Sequence, residues 1–344
     1  MGPALLARGI IRAKQERKAE VSLKKIIECI KENKSFLISS HVNLEADALG
    51  SELALYRLLK ALGKDAVVVN EDDIPYGHEF FPGAESVKKY DHRLEKQEFD
   101  CFVVVDCSDL KRTGEVYRLN SENKPVLNID HHISNQNFGT INWVEDVASC
   151  TQLIYELYKK FNVHIDRDSA LLLYAGIMGD TGSFKYTNTT AKVLKIASDL
   201  VDKGVNPAYV YNRLYQNIPY EELKLLAEIF PTMKRQMQGR IIWFQIKHNL
   251  LRHKKLSFDL SESVLTFGRS VKGADVVLLF KENLGIRNEI RVNFRSHGKV
   301  DVNAIAQTFG GGGHKAASGA TIKGSMDQVT RRVLRKVMET LRCK

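Results

Sequence analysis

Six side chains able to bind a metal ion are spaced between residues 41 and 180 of the 344-residue chain: His41, Glu45, Asp47, Asp106, His131 and Asp180. Carboxylates and imidazoles of this kind suit manganese, magnesium or ferrous iron better than zinc held by thiolates. Carboxylates gathered in one pocket repel one another, so one divalent ion, or better two, must neutralise them. Two ions roughly 3.5–4 Å apart can bridge a hydroxide and stabilise an in-line displacement at phosphorus. A lone Asp after a strand ordinarily caps a helix or shapes a turn. The case for metal rests on the joint pattern, which includes the triplet Asp130-His131-His132.

These residues meet only if the elements before them end on one edge. An apolar run, Phe36-Leu37-Ile38, leads into Ser39 to Ser51, and a helix-like run, Leu53 to Leu59, leads out. His41, Glu45 and Asp47 therefore lie at the carboxyl end of a strand, where open α/β sheets bind their ligands. Ala66–Val69, Phe102–Val105 and Pro125–Ile129 read as further buried strands, the last two stopping on Asp106 and Asp130. Leu171–Met178 is strongly apolar, and it too is expected to be a strand, ending at Asp180. Helical spacing marks Val21–Glu32, Ala148–Phe161 (with Ser149 or Thr151 as cap), Ala191–Lys203, Tyr209–Tyr215 and Glu221–Arg235. Strands alternating with helices predict a parallel sheet covered on both faces.

Asn217-Ile218-Pro219 breaks the helical pattern and marks a hinge. Beyond it, Arg240–Ile246, Val276–Phe280 and Glu289–Phe294 read as strands and Val302–Thr308 as a helix capped by Asp301. The run Gly310-Gly311-Gly312-Gly313-His314-Lys315 follows, and a basic helix, Met326–Leu341, closes the chain. Amides of Gly310, Gly311, Gly312 and Gly313 can form an anion-binding nest. Arg295, beside Ser296, can grip a phosphate with two parallel hydrogen bonds.

The net charge of +10 is uneven: from Pro231 onward there are 22 Lys and Arg against 8 Asp and Glu, and before it 29 against 33. An acidic front and a basic back suit a metal-binding part joined to an anion-binding part, although a solvated Lys/Arg surface gives the same count. Five cysteines, odd in number and without C-x-x-C spacing, argue for a reducing cytosol and against disulfides or a zinc knuckle. No apolar run approaches the roughly 18–20 residues of a membrane helix, and Met1 to Lys25 lacks the apolar core of a signal peptide.

Asp130-His131-His132 is the signature of the DHH phosphoesterase superfamily, which the chain resembles over about residues 20–340. Within it, the chain looks like the two-domain bacterial oligoribonucleases that also dephosphorylate 3′-phosphoadenosine 5′-phosphate (pAp). The marks are the His41 turn, Val105-Asp106-Cys107-Ser108, Asn128 to His132, Gly176 to Gly182 and the glycine-rich His314 motif. The resemblance implies that His41 and Glu45 bind one metal, that Asp47, His131 and Asp180 bind a second, and that Asp106 bridges them. It implies that Asp130 orients His131, and that His132 faces the substrate phosphate or protonates the leaving oxygen. Arg295, Ser296, Gly311 to Gly313, His314 and Lys315 would hold the substrate's terminal phosphate. One departure is plain: where the family turn commonly reads Asn-Pro-Asp-Gly-Asp, this chain has Asn43-Leu44-Glu45-Ala46-Asp47. Glu45 could ligate directly, bind through water or shift the metal preference.

The expectation is therefore an α/β protein. A parallel-sheet DHH domain (21–205), after an N-terminal extension (1–20), is joined by a helical linker (206–230) to a smaller mixed-sheet domain (231–344), with the active site in the cleft between them. The expected activity is metal-dependent, with two divalent ions, manganese before magnesium. It cleaves short oligoribonucleotides to mononucleotides and dephosphorylates pAp. Short single-stranded RNA and small nucleotides are the expected partners, held in part by stacking on Phe184 or Tyr186. A cytoplasmic setting, no membrane association and a homodimer complete the picture. The rivals are hydrolysis of cyclic or linear di-adenosine messengers, a long-strand exonuclease, an inorganic pyrophosphatase, and a weakened or non-catalytic nucleotide-binding relative resulting from Glu45.

Overall fold

The computed structural model describes residues 20–251, 260–283, 286 and 288–342, so that of the expected N-terminal extension only Glu20 is described. The chain divides after Asn217 into two compact units.

The first unit opens with helix α1 (20–32) and continues through β1 (Ser35–Ser39), α2 (Ala46–Ala61), β2 (Asp65–Asn70), β3 (Lys88–Lys89), β4 (Cys101–Val105), β5 (Val126–Asp130) and β6 (Ile141–Val144). Four helices follow: α3 (Cys150–Phe161), α4 (Arg167–Asp180), α5 (Ala191–Asp202) and α6 (Pro207–Tyr215). The strands form one sheet in the order β3-β2-β1-β4-β5-β6, and all its pairings are parallel. Every residue of β4 is buried, as expected of a parallel strand covered on both faces, which reads as a continuous apolar run instead of an alternation. The carboxyl ends of β1, β4 and β5 lie side by side, which brings the residues after Ser39, Val105 and Ile129 to one edge.

The expected strand at Leu171–Met178 is instead the core of helix α4. Asp166 caps it, its carboxylate accepting from the Ser169 amide at 2.8 Å. Ala170 and Leu172 to Met178 are all buried, so the helix has no wet face over this stretch. A fully buried helix and a fully buried strand give the same unbroken apolar run, and periodicity cannot separate them. Gly176 makes the packing possible: a Cβ there would run into the Thr151 side chain and the Asp47 carboxylate.

The second unit holds α7 (Tyr220–Ile229), β7 (Lys234–Gln236), β8 (Ile241–Ile246), α8 (His248–Leu251), α9 (Leu260–Arg269), β9 (Val276–Glu282), β10 (Glu289–Ser296), α10 (Val302–Gln307), β11 (Gly312–Gly313), β12 (Ala317–Lys323) and α11 (Met326–Arg342). Its sheet has the order β11-β12-β10-β9-β8-β7 and is mixed: β8 and β9 run parallel, and the other neighbours are antiparallel. The helix expected over Glu221–Arg235 stops at Ile229, and Lys234–Gln236 pairs with β8. Pro231, which has no amide hydrogen to donate, stands at that break. Strands β3, β6, β11 and β12 were not expected. β12 reads Ala-Ser-Gly-Ala-Thr-Ile-Lys, poor in the β-branched and aromatic residues that mark a strand, and its register comes from pairing with β10. Among the described residues no helix is long and apolar enough to cross a membrane.

Candidate metal centre

Asp106 sits at the middle of the first unit's acidic and histidine cluster. It follows β4 directly, is 3% exposed and has φ 51, the left-handed region that non-glycine residues enter at a cost. Such strain persists where surrounding structure over-determines it. Two imidazoles face its carboxylate: His41 Nε2 lies 3.6 Å from Oδ2, and His131 Nε2 lies 3.2 Å from Oδ1. Their orientation has a cause. His41 Nδ1 hydrogen-bonds the Val42 carbonyl at 2.8 Å and His131 Nδ1 the Val147 carbonyl at 3.2 Å, which leaves Nε2 of each ring as the atom available to a metal.

His131 Nε2 also lies 3.1 Å from Asp180 Oδ2 and 3.8 Å from Asp47 Oδ2. Among the described residues two groups bring donor atoms within 4.8 Å of one another: Asp47, His131 and Asp180, and Asp106, Asp130, His131 and His132. Asp47, on the first turn of α2, is held by the start of α3. Its Oδ1 accepts from the Thr151 amide at 2.9 Å and the Thr151 hydroxyl at 2.7 Å, and its Oδ2 from the Cys150 amide. Helix N-terminal amides are natural partners for an anion.

Electrostatics marks the site as crowded with charge. Burial, Asp106 and Asp180 push Asp47 well above the usual carboxylate range. Burial alone would raise Asp106 as well, but the hydrogen bonds and charges of His131 and His41 carry it well below that range. Burial lowers His131, and Asp106 and Asp180 overcome it, so the ring ends well above an ordinary histidine. Asp106 Oδ1 is buried and accepts no well-formed hydrogen bond. A buried oxygen without a well-formed hydrogen bond, facing His131 Nε2 at 3.2 Å among mutually repelling carboxylates, fits a divalent cation.

The structure thus collects Asp47, Asp106, Asp130, His131, His132 and Asp180, with His41 joined through Asp106. Glu45 is outside both groups: it is exposed and occupies the cap position before α2 with extended backbone (φ −116, ψ 177). Asp130 acts on a different ring from the one expected. Its Oδ1 holds His132 Nδ1 at 2.7 Å, while from His131 it accepts only the backbone amide. Asn135 supports Asp130 from the other oxygen.

In the second unit, Arg295 extends Nη2 to Glu262 Oε2 at 2.7 Å, and Glu262 is shared with Arg269. Ser296 is buried, with its hydroxyl donating to the Val300 carbonyl at 2.7 Å. His314 and Lys315 are exposed. The glycine run is shaped by packing: a Cβ on Gly311 would strike the backbone of Gly319, and Gly313 has φ 143 and lies against Ala317. The amides of Gly310, Gly311 and His314 are bonded to the carbonyls of Gln307, Ala306 and Ala317. Of the expected nest, the Gly310 and Gly311 amides are therefore already engaged, and side chains remain the better anion partners.

Sequence reasoning missed Glu52 and Asn70, a buried polar pair beside the His41 turn. The available signal was an acid on the apolar helix α2, five residues after Asp47.

The chain matches the DHH family, N-terminal domain, over residues 35–177 and the DHHA1 domain over residues 245–342. It is 34% identical over 308 residues to the bifunctional oligoribonuclease and PAP phosphatase NrnA of Thermus thermophilus, covering 88% of this chain and 89% of that one. With the protein of the same name from Bacillus subtilis it shares 30% over 298 residues, covering 84% and 89%. An exopolyphosphatase-related protein from Bacteroides fragilis has the same fold, with a TM-score of 0.84 at 24% identity over 94% of this chain and 96% of that one. By sequence and by site, the chain belongs to the DHH family of divalent-metal-dependent phosphoesterases.

Proposed function

We propose that this phosphoesterase cleaves short oligoribonucleotides to mononucleotides and removes the 3′-phosphate of pAp. The observation that carries the reading is the buried cluster around Asp106, in a chain whose 34%- and 30%-identical relatives bear both activities in their names. Asp47, Asp106, His131 and Asp180, with His41 beside Asp106, would hold two divalent ions, manganese by preference for a mixed carboxylate–imidazole set. Bound there, the ions would neutralise the acids, lower the pKa of water and polarise the phosphoryl group.

The chain's own residues supply the rest. The α3 N-terminus holds the Asp47 carboxylate in one orientation. Asp130 fixes the His132 ring through Nδ1, which turns Nε2 to the substrate, where it can hydrogen-bond a phosphate oxygen or protonate the leaving oxygen. We assign the grip on the terminal phosphate to Arg295, His314 and Lys315, and keep 21–205 and 231–344 as the metal-binding and substrate-binding domains. A cytoplasmic setting agrees with the four described cysteines, all free; the homodimer rests on family resemblance.

Purified protein with Mn²⁺ should release mononucleotides from labelled RNA dinucleotides and AMP from pAp. Tightly bound Mn²⁺ with neither product formed overturns the reading.

A further inference from the structure

Beside the metal-ligand candidates lies a buried acid that the proposed chemistry does not use. Glu52, on α2, is 0% exposed. Its Oε2 accepts from Asn70 Nδ2 at 2.8 Å, and its Oε1 has no hydrogen-bond partner. Asn70 closes β2, and its Oδ1 accepts from Ser39 Oγ at 3.3 Å and from the Ser40 amide at 3.4 Å. The Ser40 hydroxyl donates in turn to the Val105 carbonyl at 2.8 Å. His41 follows Ser40, and Asp106 follows Val105. One hydrogen-bonded path therefore runs from α2 through the end of β2 to both strand ends that carry the His41–Asp106 pair.

The path has a task. Asp106 is held in left-handed backbone, which needs its neighbours to fix it, and the Ser40 hydroxyl holds the carbonyl immediately before it. The Asn70 carboxamide is oriented by what it donates to, and that is Glu52. A carboxyl at 0% exposure, with no ion-pair partner among the described residues, is held in its neutral form by burial, which carries it up to about 8. It can therefore accept from Asn70 without adding a fifth negative charge beside the cluster.

We propose that Glu52 is a positioning residue which, through Asn70 and Ser40, sets the separation of His41 and Asp106 and hence the affinity of the centre for its divalent ion. The inference concerns ion binding and holds whichever phosphate ester the centre cleaves.

The test is Mn²⁺ titration of the full chain, followed by electron paramagnetic resonance or calorimetry, on Glu52→Ala, Glu52→Gln and Ser40→Ala. Glu52→Ala releases Asn70 and is expected to weaken Mn²⁺ binding about 10–100-fold, the usual range for outer partners of metal ligands. Under saturating Mn²⁺, its KM for an RNA dinucleotide should move by less than about twofold, because the path ends on metal ligands and not on substrate contacts. Glu52→Gln is nearly isosteric and still accepts from Asn70, so it should restore Mn²⁺ affinity to within about threefold of wild type. Ser40→Ala cuts the last link without disturbing α2 and should weaken Mn²⁺ binding about fivefold or more. It decides the matter even if Glu52→Ala fails to fold. Wild-type Mn²⁺ affinity in Ser40→Ala, or a Glu52→Gln variant as weak as Glu52→Ala, overturns the proposal.

Discussion

The two units hold their candidate site residues in opposite ways. In the first, Asp47 and Asp106 are buried and His131 nearly so, and each is fixed by backbone: the α3 amides on Asp47, the Val147 carbonyl on His131, left-handed φ on Asp106. In the second, His314 and Lys315 stand exposed on a turn whose glycines pack against β12, and only Arg295 is drawn inward, by Glu262. Charge taken out of water must be oriented and compensated, so the first set tolerates almost no change in geometry. Charge left in water costs little to place and contributes mainly attraction to an anion, which screening weakens. Substitutions in the first unit should therefore abolish turnover, and those in the second should shift substrate affinity.

The largest effect is expected for Asp106→Asn. Asparagine tolerates left-handed backbone and keeps the shape, so the change removes charge alone. We expect kcat to fall on the order of 10³-fold or more, comparable to losing one preorganised charge-stabilising group. The fold should survive, since the repulsion with Asp47 is relieved at the same time. Steady-state kinetics beside a circular dichroism melt would check both, and activity within tenfold of wild type would break the contrast between the units.

Next comes stability against pH. Glu52 titrates at about 8 in the folded protein, whereas an unfolded glutamate titrates near 4.3. Between those values the folded state keeps a proton that the unfolded state has lost, so stability falls as pH rises and levels off above the folded pKa. The loss is on the order of 5 kcal/mol, which Glu52→Gln cannot suffer because it does not ionise. The stability advantage of Glu52→Gln over wild type should thus grow from pH 5 to pH 8 in chelator-treated samples. A constant difference would mean that Glu52 is ionised throughout.

On the second unit, His314→Ala should raise KM for dinucleotides about tenfold with kcat within about threefold, since it removes an exposed contact and no backbone bond. The same experiment at high salt sharpens the comparison: the KM difference should shrink, while the Asp106→Asn defect should not.

What could be read from the chain follows the same division. β4 and β5 are apolar runs that stop abruptly on Asp106 and Asp130, so their position at the sheet edge was legible. Asp180 was placed correctly in space for the wrong reason, because the buried helix α4 and a buried strand share one apolar signature. An acid at a helix C-terminus opposes the helix dipole, a modest cost that nearby His131 offsets. The partner of Asp130 was not legible, since which ring it reaches depends on rotamers around a turn. Nor was the role of the glycines: composition shows that a side chain is missing, not whether a ligand or strand β12 fills the space. Glu52 was hidden because an acid on α2 reads as its solvent face until burial is known.

The smallest effect is expected where the chain departs from its family. Glu45 and Asp47 are acids two residues apart at one strand–helix junction, yet Asp47 is 1% exposed and bonded to α3, while Glu45 faces solvent outside both donor groups. Asn43, at φ 60, supplies a left-handed residue at this turn. Shortening Glu45 to Asp withdraws an exposed carboxylate, outside both donor groups, by one methylene, so Mn²⁺ affinity and kcat/KM should each change less than about threefold. Asp47→Asn, measured beside it, should weaken Mn²⁺ binding at least about a hundredfold, because it replaces a buried carboxylate held by three donors. A gain of tenfold or more from Glu45→Asp would show instead that Glu45 swings in to ligate, and that its extra methylene had been limiting the centre.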